Sequence, residues 1–451
     1  MSQATSNELP AASRRGGRTD WVVRVVAGVY LVALLAVAVA YHALWFGAVG
    51  NDVVFAIYGA AVVSYIVGRF AISLWYRVPK DAHYQPKVAI VMPAFNEEEV
   101  IGRSLRSLLA LDYPEDKLEL VAVNDGSTDE TLARMRAVAE ESPRVRVIDL
   151  GHNQGKRAAM AAGMRETDAE ILAFVDSDSS VEPDALYNLV QGFADSQVGA
   201  ICGHADVMNP DDSWLTRMQV VRYFVAFKVV KAAESVFSCV TCCSGCFSAY
   251  RRSAILPSLD WWEHQTFLGH PATFGDDRAL TNCVLRDWKV LYAGNAVSHT
   301  LVPVRMKQFL RQQLRWKRSW TRESLILSRF VWRKNPIAAL LAYAGVVMTL
   351  ISPVIAVRAI IWLPLFNGHG APYIYIGGIY AFSLAYGLYY LVRRPKYDVN
   401  WIFGVAFCFF YISVLLWQQY WAILTARSSD WGTRPATAGI QQAPEPAELA
   451  S

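Results

Sequence analysis

The sequence has few charged residues and almost no net charge. Of its 451 residues, 18% are Asp, Glu, Lys or Arg, against about 25% in an ordinary soluble domain. The 43 basic residues nearly balance the 39 acidic ones, which leaves a formal net charge of +4. A nucleic-acid-binding protein would carry a strongly basic surface, so we expect no nucleic-acid partner.

Charge is scarcest in long stretches near both ends of the chain. Residues 25–50 contain no formally charged side chain. Four more apolar stretches follow: Val53–Tyr76, Pro336–Phe366, Pro372–Val392 and Trp401–Leu424. Each is long enough for a helix across the roughly 30 Å hydrocarbon core of a bilayer. We predict a tail over 1–20, two transmembrane helices within 21–77, with Arg69 snorkelling to the interface, and a C-terminal transmembrane bundle over 336–425, broken at Pro353.

Basic residues flank these stretches and predict their orientation. They are Arg14, Arg15, Arg18, Arg77, Lys80, Arg393 and Arg394. Loops rich in Lys and Arg stay on the cytoplasmic side of a membrane. We therefore expect a multi-pass integral plasma-membrane protein whose N-terminal tail and central region, 84–300, are cytoplasmic.

Cysteine is also scarce, with seven in the chain, four of them clustered at Cys239, Cys242, Cys243 and Cys246. An odd number without a disulfide framework indicates a reducing compartment. The two C-x-x-C pairs abut, whereas the pairs of a structural zinc site are usually well separated. We expect free thiols on a short strand, packed as small apolar side chains.

Two phosphate-binding signatures are missing: there is no G-x-x-x-x-G-K-[ST], and no G-x-G-x-x-G follows a predicted strand. P-loop NTPases and dinucleotide-binding enzymes are therefore set aside. The central region instead alternates short apolar runs with helical segments. The apolar runs lie within Lys87–Glu99, Leu118–Glu130, Val145–Gly151 and Ala169–Ser179. This alternation predicts a doubly wound parallel α/β sheet.

Polar side chains follow each of these predicted strands. They include Glu97, Asp125, Lys156, Asp176 and Asp178. Ligands of doubly wound folds bind at the carboxyl ends of the strands, so these residues should share one cleft. Two carboxylates in D-x-D spacing suit Mg²⁺ or Mn²⁺, and a lysine beside them would neutralise a diphosphate. The pattern predicts a metal-dependent nucleotide-diphosphate site.

Two later segments add possible chemistry. Asp276 and Asp277 begin a predicted helix, where one carboxylate could act as a general base on an attacking hydroxyl. Residues 306–324 then carry six Lys or Arg and two Trp, a composition typical of an amphipathic helix in the membrane interface. We assign 303–334 to such interfacial helices, which include the Q-x-x-R-W motif of Gln312, Arg315 and Trp316.

Together, D-G-S at Asp125, D-x-D at Asp176 and Asp178, G-D-D-R at 275–278 and Q-x-x-R-W resemble the processive family-2 glycosyltransferases. Within that family the chain is most similar to hyaluronan synthases, with chitin synthases related. The similarity also includes residues 212–227, 238–252, 264–282 and W-G-T-R at 431–434. It implies a glycosyltransferase-A-type domain inserted between transmembrane segments. It also implies UDP-sugars and a growing polysaccharide as partners, and no obligatory protein partner.

The resemblance implies roles for individual residues. Asp125, Lys156 and Glu97 would lie at the UDP moiety, Asp176 and Asp178 would hold the metal, and Asp277 would be the base, supported by Asp276. Arg315 would contact the diphosphate, and Trp316, with Gln312 in the same motif, would stack on the acceptor sugar. Ser244 and Gly245 would form the acceptor-side wall, and Arg251 would hold that segment or the acceptor. Trp431 and Arg434 would close over the UDP. Cys246, where relatives usually have proline, and Asn124, where many have aspartate, depart from the pattern.

Three functions remain open at this point. The first is a synthase that alternates UDP-N-acetylglucosamine and UDP-glucuronate to make hyaluronan and export it. The second uses one donor and makes chitin or its oligosaccharides. The third is a transporter with a regulatory nucleotide-binding domain, which would predict broken helices in paired halves; the spans here divide two and three without an obvious repeat.

The position of the C-terminal tail is a testable prediction. Five simple crossings would place it outside the cell, but W-G-T-R can close over UDP only from the cytoplasm. We expect a reporter fused after Arg434 to be accessible from the cytoplasm, because one C-terminal segment does not cross simply. Accessibility from outside alone would contradict this.

Overall fold

The computed structural model describes residues 53–366, 372–393 and 398–428, together with scattered helical positions between 22 and 36. Most of the first predicted membrane span, and both Trp431 and Arg434, lie outside the described residues.

An eight-stranded sheet forms the centre of the region between the apolar stretches. The described residues contain ten strands, eight of which belong to this sheet. In chain order they are β1 (Val88–Ala94), β2 (Leu118–Asn124), β3 (Val145–Asp149), β4 (Ile171–Phe174), β5 (Ser179–Val181), β6 (Val198–Val207), β7 (Ser248–Arg251), β8 (Thr266–Phe267), β9 (His270–Pro271) and β10 (Lys289–Thr300). The sheet order is β3-β2-β1-β4-β7-β6-β10-β5, and β8 and β9 form a separate hairpin. Strand β7 is antiparallel to both neighbours and β5 to β10, while the other pairs are parallel.

Helices connect and cover these strands. In chain order they are α1 (Val53–Leu74), α2 (Ile101–Leu109), α3 (Thr131–Glu141), α4 (Lys156–Arg165), α5 (Ala185–Val190), α6 (Trp214–Val225), α7 (Ala232–Val236), α8 (Arg252–Ile255), α9 (Leu259–Glu263), α10 (Asp276–Leu285), α11 (Met306–Ser328), α12 (Pro336–Val357), α13 (Leu363–Phe366), α14 (Pro372–Arg393), α15 (Trp401–Phe410) and α16 (Leu416–Leu424). Single π-helical segments join α6 to α7, α12 to α13 and α15 to α16.

The central strands are apolar throughout because helices cover both faces of the sheet. On β1, Ala89 and Val91 face the core that contains α4, whereas Val88, Ile90 and Met92 face the core that contains α2 and α3. Alternate side chains of a strand point to opposite faces, so a strand buried on both sides has no polar alternation. The predicted doubly wound sheet is confirmed, with two antiparallel strands added to it.

The register places the predicted site residues at one edge. Ala94 of β1 pairs with Asn124 of β2, and Asn124 pairs with Asp149 of β3. Strand β4 lies parallel on the other side of β1 and ends at Phe174. The loops that follow β1, β2, β3 and β4 therefore open at the same edge of the sheet.

Four helical segments among the described residues are long and apolar enough to cross a membrane. They are Ile57–Leu74, Pro336–Phe366, Tyr375–Arg393 and Trp401–Leu424. The chain stays helical from Pro336 to Phe366: Pro353 lies inside α12 without ending it, and a π-helical segment follows at Arg358–Trp362. A π-bulge changes the direction of a helix without interrupting its hydrogen bonding.

Helix α1 is joined to the sheet domain by polar contacts. The Arg69 guanidinium lies 3.6 Å from the Glu234 carboxylate of α7. The Tyr76 hydroxyl donates to the Tyr292 carbonyl and accepts from the Gly294 amide, each at 2.8 Å. The end of the apolar helix is thereby fixed to β10.

Candidate active site

The loops at the carboxyl ends of β1, β2 and β4 line a cleft of about 290 Å³, and residues of α11 complete it. The lining residues are Pro93, Ala94, Phe95, Glu97, Asp125, Lys156, Asp176, Ser177, Asp178, Pro303, Gln308, Gln312 and Arg315. Seven of these residues were predicted as site residues from the sequence. The sheet edge and the amphipathic helix therefore face one common space.

Asp125 shapes the loop that presents Lys156. Its carboxylate accepts hydrogen bonds from the backbone amides of Gln154, at 2.7 Å, and Gly155, at 3.0 Å. Lys156 is the first residue of α4, and its ammonium lies 2.6 Å from the Asp176 carboxylate. Burial alone would lower the pKa of Lys156, but the surrounding carboxylates, led by Asp176, outweigh burial and raise it. Lys156 is therefore charged in the cleft.

Asp176 and Asp178 give the cleft an excess of negative charge. The lining includes four carboxylates but only two cationic side chains, Lys156 and Arg315. Desolvation in the cleft raises the pKa of Asp178 to about 6, and the charges of Asp176 and Glu97 add to this effect. A divalent cation would relieve this crowding, and carboxylate oxygens are the ligands that Mg²⁺ and Mn²⁺ prefer.

Among the described residues, no group of three or more His, Cys, Asp or Glu side chains converges so as to hold a metal. The two D-x-D carboxylates thus fit a cation whose remaining ligands are water and phosphate oxygens.

Gly245 brings the metal side of the cleft close to the predicted base. Its backbone amide donates to the Asp277 carboxylate at 2.9 Å. A Cβ atom at Gly245 would lie 3.0 Å from one Asp277 oxygen and 3.1 Å from an Asp176 oxygen. A side chain here would therefore crowd two carboxylates that approach the same backbone atom. The structure brings Gly245, Asp176 and Asp277 together.

Asp277 occupies the first turn of α10, beside its neighbour Asp276. Burial raises the pKa of Asp277 to about 6; the Lys156 charge acts in the opposite direction, while Asp176 and Asp276 raise the pKa further. A carboxylate whose pKa is closer to neutral is a better proton acceptor than an ordinary aspartate. This suits Asp277 to general-base chemistry.

Asp276 points away from the cleft into a buried ion pair. Its carboxylate lies 2.6 Å from the Arg157 Nε, and both side chains are buried. Arg157 also donates to the Trp262 carbonyl at 2.9 Å and to the Gln265 side chain at 2.8 Å. Asp276 therefore supports the turn that carries Asp277.

The same polar network reaches α11 through two buried neighbours, Arg322 and Glu323. Their side chains pair at 2.8 Å, with relative exposures of 2% and 0%. The Glu323 carboxylate accepts from Gln265 and Asn282, each at 3.1 Å, and Arg322 donates to the Phe274 carbonyl. Sequence reasoning missed this role, although Glu323 is the lone acidic residue between 306 and 324.

Gly275, between the network and Asp277, packs directly against α11. Its φ of +82° is left-handed, and a Cβ atom there would lie 1.8 Å from the Ser319 hydroxyl oxygen. Only glycine satisfies both constraints at no steric cost. The turn that carries the base and the helix that carries the Q-x-x-R-W motif are thus in contact.

Trp316 borders this region on α11. Its side chain is 37% exposed, and the Arg222 guanidinium lies 5.1 Å from its ring centroid. The exposed part of the indole offers an aromatic surface for a sugar. The stacking role itself remains a prediction.

The cysteine-rich segment is a loop rather than the predicted strand. Only Cys239 forms a β-bridge, to Val290, and strand pairing resumes at Ser248. Among the described residues all seven cysteines are free, and burial raises the pKa of Cys246, with Asp176 and Asp178 adding to the effect. The Ser244 hydroxyl oxygen lies 3.8 Å from the Cys202 sulfur. The loop contains Gly245, and its role as the acceptor-side wall stays a prediction.

Arg251 does not reach the cleft. It pairs with Ile171 at the start of β4, at the opposite edge of the sheet from Asp176. Its guanidinium binds Glu170 at 2.7 Å and the Val198 carbonyl at 3.1 Å. Because β7 is antiparallel, Ser248 lies toward the cleft and Arg251 away from it. Arg251 holds the segment only.

The fold and the site define a glycosyltransferase-A-type enzyme. A mannosyltransferase from Pyrobaculum calidifontis, solved in complex with GDP-Man and Mn²⁺, has a similar fold, with a TM-score of 0.59 and 23% identity over 87% of this chain and 98% of that one. Residues 89–256 match the family model of glycosyl transferase family 2.

Two relatives extend the similarity beyond that domain. A hyaluronan synthase of Streptococcus pyogenes is 32% identical over 388 residues, which is 84% of this chain and 90% of the relative. An N-acetylglucosaminyltransferase of Azorhizobium caulinodans is 32% identical over 358 residues, which is 78% of this chain and 88% of the relative. The chain belongs to glycosyl transferase family 2 and is a hyaluronan-synthase-like member of it. With its apolar helices it is a membrane glycosyltransferase.

The pKa of Asp277 predicts an acid limit to activity. A base must be ionised to accept a proton, so turnover should be nearly full at pH 7, half-maximal near pH 6 and fall about tenfold per unit at lower pH. The turnover number should be measured against pH at saturating donor and metal. Donor affinity over the same range separates lost binding from lost proton acceptance. An acid limit near pH 4, the ordinary aspartate range, would contradict this assignment.

The buried Arg322–Glu323 pair predicts a large stability effect. Glu323→Ala leaves a buried guanidinium unpaired, which typically costs about 3–5 kcal/mol. Glu141→Ala is the matched control, because Glu141 pairs with Arg106 at an exposed site, where such a pair contributes about 0–1 kcal/mol. Thermal unfolding of the purified protein should show a much larger fall in the midpoint for Glu323→Ala. Equal shifts would contradict the network.

Proposed function

We propose that this protein is a processive, inverting glycosyltransferase that polymerises UDP-N-acetylglucosamine and UDP-glucuronate into hyaluronan and exports the product. One observation carries the proposal. The D-x-D cleft and the Asp277 carboxylate meet across Gly245, which puts a proton acceptor beside a site suited to a nucleotide diphosphate. The similarity to a hyaluronan synthase over 84% of the chain supports this product.

The donor would bind through residues of the sheet edge. Lys156 and Arg315 supply positive charge for the diphosphate, and Asp125 and Glu97 lie where the nucleoside would be held. Asp178, with Asp176, would hold Mg²⁺ or Mn²⁺. When bound, the cation neutralises charge on the departing diphosphate. Lys156 supports the same departure because the surrounding carboxylates keep it protonated.

Asp277 would accept the proton of the attacking acceptor hydroxyl. As that O–H bond breaks, the oxygen bonds to the anomeric carbon of the donor sugar. The bond from that carbon to the diphosphate oxygen breaks at the same time, and its electron pair leaves with UDP. One displacement on an α-linked donor gives a β-linkage. Trp316 would hold the acceptor ring against its exposed indole surface.

The membrane helices support export by the same chain. Helix α11, which lines the cleft, also contacts the last apolar segment: Gln418 donates to the Leu310 carbonyl at 2.8 Å. A product formed at the cleft would therefore begin beside the apolar bundle. In this arrangement the catalytic domain is cytoplasmic, in the plasma membrane, and UDP-sugars reach it from the cytoplasm.

A single-donor synthase is the second candidate. It is favoured by the similarity to an N-acetylglucosaminyltransferase, which extends over 78% of this chain. Such an enzyme would use UDP-N-acetylglucosamine alone and make chitin or its oligosaccharides.

The two candidates give different products. Membranes containing the protein should be incubated with Mg²⁺ or Mn²⁺ and UDP-N-acetylglucosamine, with and without UDP-glucuronate. We expect polymer only with both donors, and degradation of that polymer by hyaluronidase. High polymer from one donor, degraded by chitinase, would favour the second candidate.

The proposed base has its own control. Asp277→Asn keeps the size of the side chain but cannot accept the proton, so transfer should fall at least a hundredfold. Asp260→Asn removes an exposed carboxylate that pairs with Arg165 and should leave transfer unchanged. Equal activity of the two variants would contradict the role of Asp277.

A further inference from the structure

A positively charged cluster lies between the active-site region and the C-terminal apolar helices. Arg222 of α6 places its guanidinium carbon 5.1 Å from the Trp316 ring centroid and 5.8 Å from that of Phe407. Its Nη1 atom is buried and has no hydrogen-bond partner among the described residues. Burial lowers the pKa of Arg222, although a guanidinium remains charged at neutral pH.

Lys317 adds a second positive charge to this cluster. It follows Trp316 on α11, lies 5.5 Å from the Tyr411 ring centroid and donates to the Leu415 carbonyl. Burial, together with the nearby charge of Arg222, lowers the pKa of Lys317 to about 8. Two cations thus share one neighbourhood. Among the described residues neither forms an ion pair with a carboxylate.

The position of the cluster relates it to the growing chain. Trp316 directly follows Arg315, which lines the D-x-D cleft together with Asp176 and Asp178. Phe407 and Tyr411 belong to the apolar segment Trp401–Leu424. The cluster therefore lies between the D-x-D cleft and a predicted membrane helix, on the side where Trp316 is exposed.

Aromatic contacts alone do not balance the burial of Arg222. The side chain is only partly exposed, and a cation–π contact replaces only part of the hydration that its buried Nη1 atom has lost. Arg217 shows the ordinary solution on the same helix: it lies 5.6 Å from the Phe403 ring centroid but also pairs with Asp211 at 3.1 Å. Arg222 contacts the rings of Trp316 and Phe407 but, among the described residues, forms no ion pair with a carboxylate.

We propose that Arg222, with Lys317, binds the carboxylate of a uronate unit in the growing polysaccharide while Trp316 stacks on a sugar ring. This inference rests on the proposed function, because it needs an acidic acceptor chain, and it names the sugar chemistry that the acceptor side recognises. The planar guanidinium suits a carboxylate, to which it can donate two parallel hydrogen bonds. A neutral chain of N-acetylglucosamine would leave both cations uncompensated.

The test compares the binding of two defined probes by the purified full-length protein. The probes are a hyaluronan tetrasaccharide and chitotetraose, which differ in the presence of uronate carboxylates. We expect the wild-type protein to bind the acidic probe more tightly. Arg222→Gln should reduce the ratio of the two affinities at least tenfold, the scale of a lost hydrogen bond to a charged group.

Three further variants keep the test interpretable. Arg222→Lys retains the charge but not the planar fork, so it should reduce the ratio less than Arg222→Gln. Lys317→Gln should also reduce the ratio. Arg217→Gln is the matched control and should leave the ratio unchanged. An unchanged ratio in Arg222→Gln, or equal weakening for both probes in every variant, would overturn the proposal, because the second result means that Arg222 only supports Trp316.

Donor incorporation by the wild-type protein separates this inference from the proposed function. If the wild-type protein incorporates glucuronate but Arg222→Gln leaves the ratio of the two probe affinities unchanged, the uronate site is overturned and the proposed function is not. Absence of glucuronate incorporation overturns the hyaluronan assignment, whatever the probe ratio is.

Discussion

The buried ion pair between Arg157 and Asp276 joins two parts of the chain that are 119 residues apart. Arg157 follows Lys156, and Asp276 precedes Asp277, so each partner lies next to a residue of the candidate site. One contact of 2.6 Å therefore fixes the position of the lysine relative to the base. A buried ion pair is weak evidence for stability because desolvation offsets much of its attraction. Its contribution here is positional.

The network beyond this pair makes the base and the acceptor-side helix a single unit. Gln265 accepts from Arg157 and donates to Glu323, so the hydrogen bonds run from α4 to α11. Gly275 is in contact with Ser319 of that helix. A displacement of α11 would consequently move the turn that carries Asp277. The proposed polymerisation would need the same geometry of Asp277 in every cycle, and this network provides a physical means of restoring it.

Local sequence patterns predicted the parts of the site that depend on a single strand or helix. Asp125 and Asp176 follow apolar runs, and the carboxyl ends of parallel strands meet at one edge whatever the distant contacts are. The direction of β7 could not be read in this way, because an antiparallel strand in a mixed sheet is chosen by its neighbours; for that reason the sequence left two roles open for Arg251. The partners of Asp276 and Glu323 come from elements far apart in sequence, and no local pattern encodes such pairs.

The two halves of the site have opposite charge imbalances, and the proposed reaction uses both. The cleft has more carboxylates than cations, which a divalent cation corrects. The region around Trp316 has Arg222 and Lys317 without an acid among the described residues. A uronate in the acceptor would be attracted by these cations, whereas in the cleft the divalent cation and the cationic side chains are already balanced by the carboxylates. The electrostatic gradient would therefore favour an acidic product moving from Asp277 toward the apolar helices over one moving back, a bias that a neutral chain would lack.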